Sequence, residues 1–271
     1  MPFLISPSAA IEPIRLNEPQ LTESSGLAFS NRRAKTVWTH NDSGGRPELF
    51  AFDSAGKRLA RHPFAAIKQA TDWEDIASFV DGDRPRMLIA DCGDNNGNRA
   101  SIPIYLFDEP DPSLPTKEVN LQTLRVTYPD GPRDCEAVAV DVRRRLIVFV
   151  TKSVLPVSGV YTIPLPPRDE QAKSQTLDVT ATRICTLAIP MVTAADFDPE
   201  TGELWVINYF QAFRFSHIDA ALTEQLTALP IAMDLPKLRQ IEAIAVDRNG
   251  AAWVTSEGNP ALMQMIETPK P

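Results

Sequence analysis

The chain has 271 residues, 43% of them hydrophobic, with 24 Pro and 12 Gly; this composition supplies a core but disfavours long helices and suits short strands joined by turns. Its net charge of −8, with no basic cluster, leaves nucleic-acid binding without electrostatic support. No stretch approaches the ~18 apolar residues that span a membrane, and three cysteines at unpaired spacings give neither a zinc motif nor a disulfide framework.

The opening MPFLISPSAAIEPIRL has no basic segment and too short an apolar run for a secretory signal. The expected location is therefore either the cytoplasm or, for a mature exported form with an added Met, outside it. The segment IEPIRL, residues 11–16, reads as an isolated strand with no partner nearby.

A repeat then organises the rest of the chain. A polar residue, a small residue and an alternating apolar strand recur as SGLAFS from Ser25, EDIASF from Glu74, EAVAVD from Glu136, TAADFD from Thr193 and EAIAVD from Glu242. Each copy is followed by a turn (NRRAK, DGDRPR, DVRRR, DPETG, DRNG) and a second strand (TVWTH, RMLIAD, LIVFVT, ELWVIN, AAWVTS). A third strand comes next: ELFAFD, IPIYLFD, GVYTIPL, AFRFS and ALMQMI. Four copies add a weaker fourth strand: KRLARHPF, LQTLRVTY, ATRICTLAI and QLTALPIAM. The starts at 25, 74, 136, 193 and 242 give a period of about one propeller blade.

The expected fold is an all-β, five-bladed propeller of four-stranded blades, one domain over residues 1–271, with blades beginning near 23, 72, 134, 191 and 240. The fifth copy ends before a fourth strand, so residues 11–16 are expected to complete it and close the ring, which removes the open sheet edge. Trp38, Trp205 and Trp253 share one second-strand position and read as packing between blades. The chain is expected to be a monomer.

The first strand of a propeller blade is innermost, so Ser25, Glu74, Glu136, Thr193 and Glu242 should ring the axis, with Glu23, Asp72, Asp134, Met191 and Gln240 two residues earlier. Three converging glutamates repel one another and require protons, a basic partner or a cation. No Lys or Arg occupies the ring position. A hard cation with oxygen ligands answers the repulsion, and Ca²⁺ tolerates flexible oxygen coordination better than Mg²⁺.

The second strands end on the same face. They bring His40, Asn41 and Asp42 in THNDSGG, Asp94 and Arg99 in ADCGDNNGNR, then Lys152, Asn208 with Tyr209, and Glu257. Asp42, Asp94, Arg99, Lys152 and His40 are the candidates for acid–base or charge-neutralising roles. Asn41, Asp72, Trp73, Asp134, Asn208, Tyr209 and Glu257 are the candidates for contact with a small-molecule, phosphate or sugar ligand. His62 and His217 read as structural, and the turns on the opposite face read as ordinary. A Cys92–Cys135 bridge is conceivable.

The ring residues, with ESSGLAFS and HNDSGG, resemble the calcium-dependent apyrases, five-bladed propellers with an axial Ca²⁺. That resemblance implies Ca²⁺ at Ser25, Glu74, Glu136, Thr193 and Glu242, and a phosphate-ester site near Asp42. DWEDIA and GDNNGNR also look like a group of bacterial propellers of unassigned role, which implies no activity. Three functions follow. The first is a cation-binding module with a polar ligand site. The second is a Ca²⁺-dependent phosphoester hydrolase. The third is a glycosidase using carboxylates such as Asp42, Asp134 and Glu242. The binding module ranks first.

Overall fold

Each repeat phrase folds as the inner strand of a blade, because its alternating apolar residues pack against the blades on either side. The computed structural model describes residues 12–115, 119–167 and 176–268. Residue 11 of the expected closing strand and the opening residues before it lie outside the described residues.

Strand β1 (Ile14–Leu16) comes first in the described chain. Blade one is β2 (Ser24–Phe29), β3 (Thr36–Asn41), β4 (Glu48–Asp53) and β5 (Arg58–Pro63). Blade two is β6 (Asp75–Asp81), β7 (Arg84–Ala90), β8 (Ile102–Asp108) and β9 (Gln122–Thr127). Blade three opens with β10 (Cys135–Asp141), β11 (Leu146–Thr151) and β12 (Ser158–Pro164); after the excursion β13 (Thr176–Thr180) it is completed by β14 (Thr182–Leu187). Blade four is β15 (Val192–Phe197), β16 (Leu204–Asn208) and β17 (Gln211–Phe215), then helix α1 (Leu222–Thr227) and β18 (Ile231–Asp234). Blade five is β19 (Ile241–Val246), β20 (Ala252–Ser256) and β21 (Ala261–Met265), with β1 pairing antiparallel to β21 as its fourth strand. The N-terminal strand thus closes the ring, and Ser24 Oγ meets Thr255 Oγ1 at 2.9 Å across the join of blades one and five.

Five apolar clusters lie one at each blade interface. Trp38 packs with Ile76, Met87 and Ile89 of blade two, Trp205 with Ile244 and Val254 of blade five, and Trp253 lies against the cluster between blades five and one. Burying each large side chain contributes roughly 1.5–3 kcal/mol, so the ring is held by its interfaces.

Two details depart from the sequence reading. Strand β13 crosses to blade two and pairs parallel with β9, because Leu177 and Val179 of TLDVT pack on the cluster between blades two and three. The segment QLTALPIAM is not one strand. Its first residues close α1, where Leu222, Gln225 and Leu226 form one buried face and Gln225 Nε2 donates to the carbonyls of Gly202 and Phe215 at 3.2 Å.

Candidate functional site

The ring positions are shaped by β-bulges. The register slips between Ser24 and Gly26, Cys135 and Ala137, Val192 and Ala194, and Ile241 and Ala243, so Ser25, Glu136, Thr193 and Glu242 are each the extra residue. A bulge bends the strand and re-aims its side chain. In blade two the amide of Glu74 bonds the carbonyl of Ala90, which also faces Asp75, giving the same doubling.

The five ring side chains divide into two groups. Ser25 Oγ donates to the carbonyl of Glu74 at 2.9 Å and Thr193 Oγ1 to the carbonyl of Ile241 at 3.3 Å, so both hydroxyls tie neighbouring blades. The three glutamates face the mouth with acids from the second-strand ends. Carboxylate oxygens of Asp42, Asp72 and Glu74 lie within 4.8 Å of one another, as do those of Asp42, Glu242 and Glu257. Asp42 belongs to both groups. Two unit charges at that spacing repel by roughly 3–4 kcal/mol at an effective dielectric near 20.

The mouth also holds a cation of its own: no Lys or Arg stands at the repeat position, but Lys152, expected on this face from the end of its second strand, reaches the ring. Lys152, from the end of β11, places Nζ 3.0 Å from Glu136 Oε1 and 3.2 Å from the Tyr209 hydroxyl, and that hydroxyl donates to Glu242 Oε1 at 3.1 Å. The Glu74 carboxyl stands close enough to that of Glu136 for the charge of Glu136 to raise it. A continuous polar chain thus runs Glu136–Lys152–Tyr209–Glu242, with Glu74 beside it. Lys152 is not at the repeat position, but its long side chain reaches there.

Titration follows this geometry. Burial, then the charges of Glu136, Asp42 and Asp72, holds Glu74 well above the usual carboxylate range. Burial raises Glu136 too, against the pull of Lys152. Asp42 is pushed up to about 7 by burial first and by Asp72 next, and Glu242 to about 8 by burial and by Glu257. Burial disfavours the charged Lys152, but Glu136 outweighs it and raises the ammonium's pKa. The mouth therefore holds shared protons wherever no other positive charge is supplied.

Gly93 lets these carboxylates gather. A Cβ there would stand 2.2 Å from Glu74 Oε1 and 2.4 Å from Asp72 Oδ2.

The other expected contact residues mostly build the scaffold. Asn41 Oδ1 accepts from the amides of Thr22 and Glu23, and Asn208 Oδ1 from those of Phe210 and Gln211. The Asp94 carboxylate caps its own loop through the amides of Asn98 and Arg99, while Asp134 Oδ1 accepts from the Asp94 amide. Arg99 is held by Asp91 at 2.7 Å and the Gly93 carbonyl at 2.6 Å. Trp73 is fully buried and packs edge-on to His40 and Phe64, so it is core and does not face the mouth. His40 is equally buried, with Nδ1 2.8 Å from the Asn41 carbonyl; burial lowers its pKa to about 4, which keeps the ring neutral and away from solvent protons. Cys92 and Cys135 are free thiols, with Cys92 Sγ donating to the Cys135 carbonyl at 2.9 Å.

Two axial carboxyls escaped the sequence reading. Asp75 stands where the other inner strands carry Gly26, Ala137, Ala194 and Ala243, and Asp196 where they carry Ala28, Ala77, Ala139 and Ala245. Inner strands present edge amides with no ladder partner. Asp75 accepts from the amides of Val138 at 2.9 Å and Ala195 at 3.3 Å, and Asp196 from those of Val246 at 2.8 Å and Phe197 at 2.9 Å. Burial raises both above the usual range, Asp196 to about 7. An Asp breaking a column of Ala and Gly was the available signal.

No family model matches the chain, and no curated protein does. Solved structures do. One glucose dehydrogenase matches at TM-score 0.57 and 10% identity over 96% of this chain and 100% of its own. A second glucose dehydrogenase matches at 0.56 and 11%, over 95% and 100%. A calcium-binding protein, regucalcin from Agrobacterium tumefaciens, matches at 0.45 and 15%, over 91% and 71%. What the two dehydrogenases share with this chain is the fold. The five blades are read from the chain's own five sheets, and the chemistry of the mouth has to be argued from its own residues.

Proposed function

We propose that the protein binds a divalent cation, Ca²⁺ by the character of its donors, at the channel mouth, and that the bound ion presents an open polar site to a small oxyanion-bearing or sugar-like ligand. The observation that carries this reading is Asp42, a half-buried carboxylate shared between two acid groups whose oxygens lie within 4.8 Å. The donor set suits the ion. It is all oxygen, drawn from several blades, and without the fixed octahedron that Mg²⁺ demands. The residues that would hold it are Asp42, Asp72 and Glu74, with Glu242 and Glu257 completing the second side. Ser25 and Thr193 give their hydroxyl protons to backbone carbonyls and keep their oxygen lone pairs, so they remain open to the ion as neutral donors beside this charged set. Lys152 neutralises Glu136 and so lowers the charge the ion must balance, while its position beside Tyr209 leaves it able to meet an anionic group on a ligand.

Calorimetric titration with CaCl₂ and MgCl₂ at pH 7.5 tests the proposal. Ca²⁺ should bind more tightly than Mg²⁺, and Asp42→Asn should weaken Ca²⁺ by at least about tenfold, the effect of losing one charged ligand contact. Affinity should rise from pH 6 to pH 8 as Asp42 and Glu242 lose their protons. No saturable Ca²⁺ binding, or equal binding by the Asp42→Asn variant, would overturn it.

A further inference from the structure

The opposite end of the channel, where only turns were expected, holds a cavity of about 300 Å³. It is lined by the C-terminal ends of all five inner strands and the turns that follow. That volume is at the lower bound of small-molecule pockets. Asp196 lies deep among protein atoms yet remains partly accessible from this side.

The walls and rim differ in character. Phe29, Phe79, Phe197 and Val142 supply apolar surface, while Arg143 and Arg248 stand exposed at the rim. Arg143 donates to the Glu200 carbonyl and Arg248 to Asn31 Oδ1 at 2.9 Å; among the described residues neither forms an ion pair. Each guanidinium has five donors, so most of its hydrogen-bonding capacity is unused by those contacts. The acids here are otherwise engaged. Asp141 pairs with Arg144 at 2.6 Å, Asp198 accepts from the amides of Glu200 and Thr201, and Asp196 is held by two amides. Asp141 is neutralised by Arg144, Asp198 and Glu200 balance the charges of Arg143 and Arg248, and burial raises Asp196 toward its neutral form, so the unused guanidinium donors, not an excess of positive charge, are what the rim offers a ligand.

We propose that this cavity binds a small organic carboxylate with an apolar body, the body against Phe79 and Phe197 and the carboxylate on Arg143 and Arg248. A planar guanidinium fork matches a carboxylate better than any neutral group does. The site lies across the channel from the acidic mouth and does not depend on a cation there.

Saturation-transfer NMR and calorimetry with 3-phenylpropionate, 3-phenylpropanamide and 3-phenylpropylamine test it. The carboxylate should bind saturably, about tenfold more tightly than the amide, with the amine weakest. The Arg143→Gln/Arg248→Gln double variant should lose about tenfold in carboxylate affinity and bring it level with the amide. Both side chains are exposed, so the fold should persist, checked by an unchanged melting temperature. Val80→Trp, at a lining position already 37% exposed, should reduce binding of carboxylate and amide alike. Absence of saturable binding, equal affinity for the three probes, or an unchanged double variant would overturn the proposal.

Discussion

Replacing Lys152 with methionine keeps the side-chain length but removes the cation that pairs Glu136. The pair is 3.0 Å apart, with the lysine 22% and the glutamate 5% exposed. Leaving one member of a buried pair without its partner costs about 3–5 kcal/mol. The residual exposure of the lysine, and the option of protonating Glu136, reduce this to about 2–3 kcal/mol at pH 8. Without Lys152, burial and the charge of Asp134 hold the folded-state pKa of Glu136 still further above its unfolded value near 4.3. The folded variant then binds more protons than the unfolded chain, so its stability is greatest below that unfolded pKa and is lost as pH rises through the folded one. The assay is urea and thermal unfolding in EDTA. Lys152→Met should lose about 2–3 kcal/mol at pH 8, a fall in Tm of about 5 °C or more, and under 1 kcal/mol at pH 5. Adding Glu136→Gln should restore most of the loss, because the stranded charge is gone. A variant within about 0.5 kcal/mol of the parent at pH 8, or equally destabilised at both pH values, would refute the reasoning.

Three further outcomes are expected. Gly93→Ala drives a Cβ into Glu74 and Asp72 at 2.2 and 2.4 Å, so melting should show a loss of about 1–3 kcal/mol together with a weaker response to Ca²⁺; an unchanged Ca²⁺ response would show that those carboxylates are not ligands. Asp75→Ala strands the amides of Val138 and Ala195 and should cost about 2–4 kcal/mol in urea unfolding, with Asp75→Asn costing less than half of that; parity between Ala and the parent would remove the axial role of Asp75. Asp42 at about 7 and Glu242 at about 8 lie above their ordinary values of 3.8 and 4.5, so in EDTA their contribution is greatest below those ordinary values and is lost as pH rises to about 8. Saturating Ca²⁺ should flatten that decline, and an EDTA melting profile level from pH 5 to pH 8 would contradict it.

The blade plan was legible because it is written five times. Alternating apolar strands at a fixed offset from each polar ring residue predict the inner strands, and the missing fourth strand of the last repeat predicts the pairing of β1 with β21. The site was legible only in outline. Strict alternation along a strand cannot foresee the bulges at Ser25, Glu136, Thr193 and Glu242, which decide where those side chains point. The motif also does not show that the hydroxyls of Ser25 and Thr193 each donate to a neighbouring strand's carbonyl and so tie the blades together. Lys152 and Tyr209 reach the ring from second-strand ends through side-chain length, which a repeat alignment does not register. Trp73 sits next to Glu74 in sequence yet points into the blade interface, as neighbouring strand residues do. Asp75 and Asp196 were visible as departures from small residues, though their partners are amides on other blades.

The central claim is that the mouth carboxylates gather around a cation. A crystal structure determined at pH 7.5 in the presence of Ca²⁺, with the ion identified by its anomalous signal, tests this most directly. The account predicts one ion about 2.3–2.6 Å from oxygens of Asp42, Asp72 and Glu74, with Lys152 still on Glu136. The contradicting result is a mouth without an ion, its carboxyls joined to one another by protons or the Lys152 ammonium turned in among Asp42, Asp72 and Glu74.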